Sequence, residues 1–178
     1  MINDHDPNLL FLENLDAFST SSKRRIKKEC ELLSKTYDNL VLSYISSLNI
    51  ELTIIENTTK YTFVFNNYFP FHPPQIYYNG EPYLEILRLK FDFQKKLVKT
   101  YKKKDCLCCD SYSCDGNWAP SITLLDVIQE IKSNVEFKRS MVNVLLADAI
   151  KRKYLIADID INSYLIWYQS KKYFPKNV

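Results

Sequence analysis

The stretch FPFHPPQIYY, from Phe69 to Tyr78, sets Pro70, Pro73 and Pro74 close together. Proline has no backbone N–H, fixes φ at about −65° and drives the residue before it to an extended conformation, so no helix can run through this stretch. What precedes it alternates. Leu40, Leu42 and Tyr44, then Ile50, Leu52 and Ile54, then Tyr61, Phe63 and Phe65 put apolar side chains on every second position, with the polar break ENTTK before the last run. Such alternation marks half-buried strands, and short polar breaks join neighbours antiparallel. The expectation is a meander of three strands, a proline-rich connection, and QIYY as a short fourth strand.

Helical spacing brackets this meander. After the Ser and Thr residues at 19–22, Ile26, Cys30, Leu33 and Tyr37 fall on one face and basic residues on the other, which predicts an amphipathic first helix with Cys30 in the core. Far downstream, SITLLDVIQEIKSNV opens on Ser121 as a cap and sets Leu124, Ile128, Ile131 and Val135 on one face, predicting a helix. Further helices are expected around Met141 to Ile156 and from Ile161 or Asn162 to about Tyr168. The region Tyr83 to Tyr101 carries two patterns. Leu84, Leu87, Phe91, Val98 and Tyr101 fit a helix, whereas Leu87, Leu89, Phe91 and Phe93 alternate like a strand; a helix is the expectation. Residues 1–20 lack sustained periodicity and read as an arm, although Leu9, Leu10, Phe11, Leu12 and Leu15 could dock onto a domain covering 21–178. The order of elements is that of an α+β protein.

Composition removes several classes of function. The net charge of +3 comes from 24 basic against 21 acidic residues, too even a balance to argue for nucleic acid. Apolar runs such as NLLFL fall short of the roughly 20 residues of a membrane span, and the polar start MINDHDPN does not read as a secretory signal. An intracellular, cytoplasmic protein is expected. Only two glycines, with abundant Lys, Asn, Ile and Tyr, match the usage of AT-rich codons, as in a large DNA virus or a protist, and in the viral case the location would be the host cytoplasm.

Four of the five cysteines lie between Cys106 and Cys114. An odd total without a secretory signal argues against a disulfide framework, which leaves a metal site or a nucleophile. For metal, Cys106, Cys109 and Cys114 offer soft thiolates suited to structural zinc, with Cys108 or a distant ligand as a fourth, although the spacing is not that of paired Cys-x2-Cys knuckles. No cofactor other than that zinc is implied.

Two segments in order, Phe69-Pro70-Phe71-His72-Pro73-Pro74 and the cysteine cluster followed by Trp118-Ala119-Pro120-Ser121 and Ile122-Thr123-Leu124, resemble the ubiquitin-conjugating enzyme family. The resemblance runs from about Ser22 to Val135. It implies the family's fold, with an N-terminal helix, a four-stranded antiparallel meander and C-terminal helices. It also implies a function: carrying ubiquitin or a ubiquitin-like modifier as a cysteine thioester, received from an ATP-dependent activating enzyme and passed to lysine amines with or without a ligase. A thiolate suits this role because it attacks one thioester and later leaves in favour of an amine. The family pattern Ile-Cys-Leu-Asp reads best onto Leu107-Cys108-Cys109-Asp110, making Cys108 the nucleophile with Cys109 and Cys106 as alternatives.

By the same resemblance, Phe71 and Pro120 correspond to loop residues gripped by ligases, and Lys23, Arg24, Lys27 and Lys28 to the basic helix face that meets the activating enzyme. Trp118 would either join the partner surface or pack the loop onto the next helix, and His72 would be structural. The chain departs from the family in several places, among them Phe69 where the family has Tyr and a longer spacing from Cys108 to Trp118. The His-Pro-Asn tripeptide, whose Asn supports the oxyanion, is replaced by LVKTYKKKD, leaving Asn117 as the candidate donor. Residues 83–104 form an extra segment before the cysteines. The alternative function is a catalytically silent binding or scaffold module of the same fold whose cysteines hold zinc.

Overall fold

The computed structural model describes residues 16–46, 48–89 and 92–154. The expected helix near Tyr168 and nearly all of the N-terminal arm lie outside them. Among these residues the chain is α+β, with one antiparallel sheet and several helices. Two compact units divide it after Asn134.

Helix α1 spans Thr20–Leu33 and buries Ser22, Ile26, Glu29, Cys30 and Leu33, the expected apolar stripe as far as Leu33 together with two polar residues; Tyr37, expected on the same face, is buried but lies beyond the helix end. It starts where Ser19 in extended conformation accepts a hydrogen bond from the Ser22 N–H at 3.1 Å. That bond satisfies one of the N–H groups a helix start leaves without partners. Ser19→Ala is expected to cost about 1 kcal/mol of unfolding free energy, measurable as a lower urea midpoint with unchanged slope.

Strands β1 (Leu40–Ser46), β2 (Asn49–Glu56), β3 (Thr59–Asn66), β4 (Gln75–Tyr78) and β5 (Glu81–Pro82) pair in sequence order. The register puts Leu42 opposite Leu52, Leu52 opposite Phe63 and Phe63 opposite Ile76, an apolar row across four strands, and all four side chains are buried. Each fully buried Leu, Ile or Phe contributes about 1.5–3 kcal/mol. On the other face Thr53 and Thr62 sit opposite each other with their hydroxyls 3.2 Å apart, which satisfies two buried polar groups. The two-residue β5 was not foreseen. It follows a tight turn at Asn79 and Gly80, both with positive φ (52° and 83°), a backbone state open mainly to Asn and Gly.

The ambiguous region is helical but divided: α2 covers Tyr83–Leu87 and α3 covers Asp92–Lys102, with Arg88 extended after α2. Helix α4 runs without interruption over Leu124–Tyr154, which corrects the expectation of a separate helix starting near Met141. Nothing between Val135 and Met141 is a proline or glycine, and Glu136 and Arg139 form an i,i+3 ion pair at 3.1 Å, so the chain has no reason to stop. The cap also differs from expectation. Thr123, not Ser121, precedes the helix. Its hydroxyl accepts from the Asp126 N–H at 3.2 Å while the Asp126 carboxylate accepts from the Thr123 N–H at 2.9 Å, a reciprocal capping box. Within the first unit Leu124, Val127, Ile128 and Ile131 are fully buried and complete a core shared with α1 and the sheet.

Among the described residues no helix is long and apolar enough to cross a membrane.

Candidate functional site

The two segments that the sequence singled out meet in space. The Trp118 indole N–H donates to the Pro70 carbonyl at 2.7 Å, and its ring lies against Phe69 with centroids 6.1 Å apart. Phe69 in turn packs on Phe65 of β3 at 4.8 Å, and the Ser22 hydroxyl of α1 donates to the Phe69 carbonyl at 2.5 Å. The Phe69–Pro70 peptide is cis. Trp118 is thus core, 9% exposed, which fits the packing role of the two weighed for it rather than the partner surface. It is packed on the proline segment. Phe71, by contrast, is 71% exposed, and Pro120 is exposed as well. Beside them His72 Nδ1 stands 3.8 Å from an Asp115 carboxylate oxygen, with both side chains exposed.

The loop from Cys106 to Ile122 is anchored by polar groups rather than by regular structure. Glu130, from the second turn of α4, accepts from the Tyr83 hydroxyl at 2.9 Å, the Ser111 hydroxyl at 2.6 Å and the Tyr112 N–H at 2.7 Å. Asn134 donates to the Tyr83 oxygen at 2.8 Å, and the hydroxyls of Ser111 and Ser113 bond to each other. Burial pushes the Tyr83 phenol up, so it serves this network as a neutral donor. The Asn117 amide donates to the carbonyls of Cys109 and, at 3.3 Å, Ser111, so it braces the turn that carries the cysteines. Nothing in the one-dimensional pattern marks Glu130 as a hub. The Thr123-x-x-Asp126 capping box, however, could have been found from its spacing.

Helix α1 holds the far end of the loop. Arg25 donates to the Pro120 carbonyl at 2.6 Å and the Ile122 carbonyl at 2.7 Å, and pairs at 2.6 Å with Glu29, whose other oxygen accepts from the Leu124 N–H at 2.9 Å. Elsewhere on α1, Arg24 and Lys28 are exposed and Lys23 and Lys27 half-exposed.

Cys108–Asp110 form a single 3₁₀ turn. The turn gathers Cys106, Cys108 and Cys109 so that their sulfur atoms all lie within 4.8 Å of one another. Cys106 Sγ is the centre: it accepts from the Cys109 N–H at 3.3 Å and from the Cys108 thiol at 3.5 Å. Hydrogen bonding, from the Cys109 thiol first, holds the Cys106 thiol below its ordinary value. Burial pushes Cys108 up, and bonding to Cys106 pushes Cys109 up to about 12. Cys109 is exposed, Cys106 and Cys108 are partly buried, and Cys114 stands outside the group. The three clustered sulfurs could hold a metal ion. Next to the turn a cleft of about 360 Å³ is lined by Asp110, Tyr112, Asp126, Gln129 and Glu130 among others.

Compared with models of protein families, with curated proteins and with solved structures, the chain matches none.

Proposed function

We propose that this chain is a ubiquitin-conjugating-type transferase with the corresponding fold, carrying ubiquitin or a ubiquitin-like modifier as a thioester on the Cys106–Cys109 turn. The observation that carries the reading is the packing of Trp118 on Phe69 and Pro70. The two segments that resemble the family's are far apart in sequence, yet they make one unit with the cysteines held beside it. In the reaction a cysteine thiolate attacks the carbonyl carbon of the activating enzyme's thioester, the new C–S bond forms, and the activating enzyme's thiolate leaves. A neutral lysine amine later attacks the same carbonyl, a C–N bond forms as the C–S bond breaks, the amine gives up one proton to solvent, and the cysteine departs as thiolate. The acidic cleft beside the turn suits a cationic lysine. Exposed Phe71 and Pro120 suit a ligase, and the basic face of α1 suits the activating enzyme.

The sequence register favours Cys108 as the carrier. The hydrogen bonds that converge on Cys106 Sγ favour Cys106, and we assign the role to it. The test is an incubation with activating enzyme, ATP and ubiquitin on a non-reducing gel, for wild type and for Ser substitutions at Cys106, Cys108, Cys109 and Cys114. Wild type should show an adduct lost on reduction, and Cys106→Ser a stable ester. A stable ester in Cys108→Ser would keep the transferase and restore the sequence register. No adduct with ubiquitin or any related modifier overturns the reading.

The second reading is a silent module of the same fold with structural zinc. It is favoured by the sulfur cluster and by the engagement of the Asn117 amide with loop carbonyls, where an oxyanion donor would need to be open.

A further inference from the structure

We infer that Cys106, Cys108 and Cys109 form an exchangeable site for a soft divalent cation, zinc being the expected ion, and that metal at this site shuts off modifier loading. The second half rests on the transferase reading; the first does not. Three sulfurs within 4.8 Å of one another, drawn from one short turn, are set to converge on a single ion, and soft thiolates select zinc over magnesium or calcium. Among the described residues no fourth histidine, cysteine or carboxylate ligand joins the group. The carboxylates nearest in the chain are engaged elsewhere: Asp105 faces Lys99 at 3.3 Å and Asp110 faces Lys104 at 2.7 Å. A site with three protein ligands leaves the ion's fourth position to solvent, and Cys109 is exposed, so the ion can enter and leave.

Charge fits the same occupant. Zn²⁺ displaces one proton from each thiol, and a dication on three thiolates carries a net charge of −1. Lys102, Lys103 and Lys104 precede the turn, and with Lys104 paired to Asp110 the stretch beside the cysteines is still basic on balance. Coordination draws charge from the thiolate sulfur and lowers its reactivity toward a thioester, and a sulfur acylated as a thioester is neutral and a poor ligand for zinc. Metal and modifier therefore exclude each other on Cys106.

The experiment uses the full chain, freed of metal with a zinc-selective chelator. Zinc binding is followed by equilibrium dialysis, and Cd²⁺ is used as an optical probe of thiolate coordination. The expected result is one Zn²⁺ per chain with a thiolate-to-cadmium absorption band. Affinity should fall in Cys106→Ser, Cys108→Ser and Cys109→Ser by at least the roughly tenfold that loss of even an outer partner costs. Cys30→Ser and Cys114→Ser should retain it. Loading is then measured from pre-charged activating enzyme with one equivalent of zinc or with chelator. Wild type should load only with chelator, and in Cys109→Ser the ratio of the two loadings should rise to near one, whatever its absolute level.

Absence of zinc and cadmium binding in wild type overturns the site, and loading would then stand alone. Binding with equal loading in both conditions overturns the shut-off. Binding with no loading in either condition overturns the shut-off together with the transferase reading and leaves a purely structural metal site.

Discussion

Replacing Trp118 with alanine is expected to destabilise the protein by about 3–5 kcal/mol, the range for removing a large aromatic side chain from a core. The indole packs on Phe69 and is 9% exposed, so its loss opens a cavity that the surrounding chain can only partly close. Its N–H is the partner of the Pro70 carbonyl, and that carbonyl would lose its donor as well. Trp118→Phe separates the two contributions. It keeps most of the ring contact and removes the donor, at a cost of about 1–3 kcal/mol for a buried polar group left without its bond. Urea unfolding of both variants checks the order, Ala well below Phe and Phe below wild type. If alanine were tolerated with less than about 1 kcal/mol lost, Trp118 would not join the two segments, and the observation behind the transferase reading would fall with it.

How much of this was legible beforehand depends on whether a feature is local or brought together by the fold. Strands β1 to β3 and helix α1 could be read because alternation and helical spacing report directly which side chains turn inward, and Leu42, Leu52, Phe63, Ile26 and Leu33 are buried as that predicts. The prolines at 70, 73 and 74 excluded helix for reasons of backbone chemistry alone. The segment from Tyr83 to Tyr101 resisted because Leu87 and Phe91 belong to both periodicities, and the fold settles the matter with two helices separated at an extended Arg88.

The site was less legible. Arg25 was hidden inside the basic run from Lys23 to Lys28, where charge suggests a solvated face, yet it points to the backbone of Pro120 and Ile122. Glu130 looks like any polar residue on an amphipathic helix until Tyr83, Ser111 and Tyr112 converge on it. Among the cysteines the sequence supplied candidates and a register. Which sulfur accepts from the others follows from a 3₁₀ turn that has no sequence signature of its own.

The second large effect is expected at Glu29. Its side chain is 1% exposed, paired with Arg25 at 2.6 Å and bonded to the Leu124 N–H at the start of α4. Removing one partner of a buried ion pair costs about 3–5 kcal/mol, because the other charge stays behind without compensation. Glu29→Ala should fall at the lower end, about 3 kcal/mol, since Arg25 keeps the Pro120 and Ile122 carbonyls. Glu29→Gln should cost less, because its amide oxygen can still accept from Leu124.

The pH dependence distinguishes the pair from simple packing. Burial first, against the opposing pull of the Leu124 N–H and Arg25, leaves the Glu29 carboxyl above the ordinary value of 4.5. A raised value means the folded state binds the proton more tightly than the unfolded chain. The stabilisation linked to this proton is therefore complete below about 4.5 and is lost as the pH rises through the folded value. Measured against Glu29→Gln, wild type should gain ground as the pH is lowered from neutral toward that window, while acid lowers the stability of both through their other carboxylates. The check is urea unfolding of the two proteins across the same pH series. A difference that instead shrinks on acidification would mean that Arg25 and the helix start outweigh burial, holding Glu29 below its ordinary value and making the ion pair a net source of stability at neutral pH.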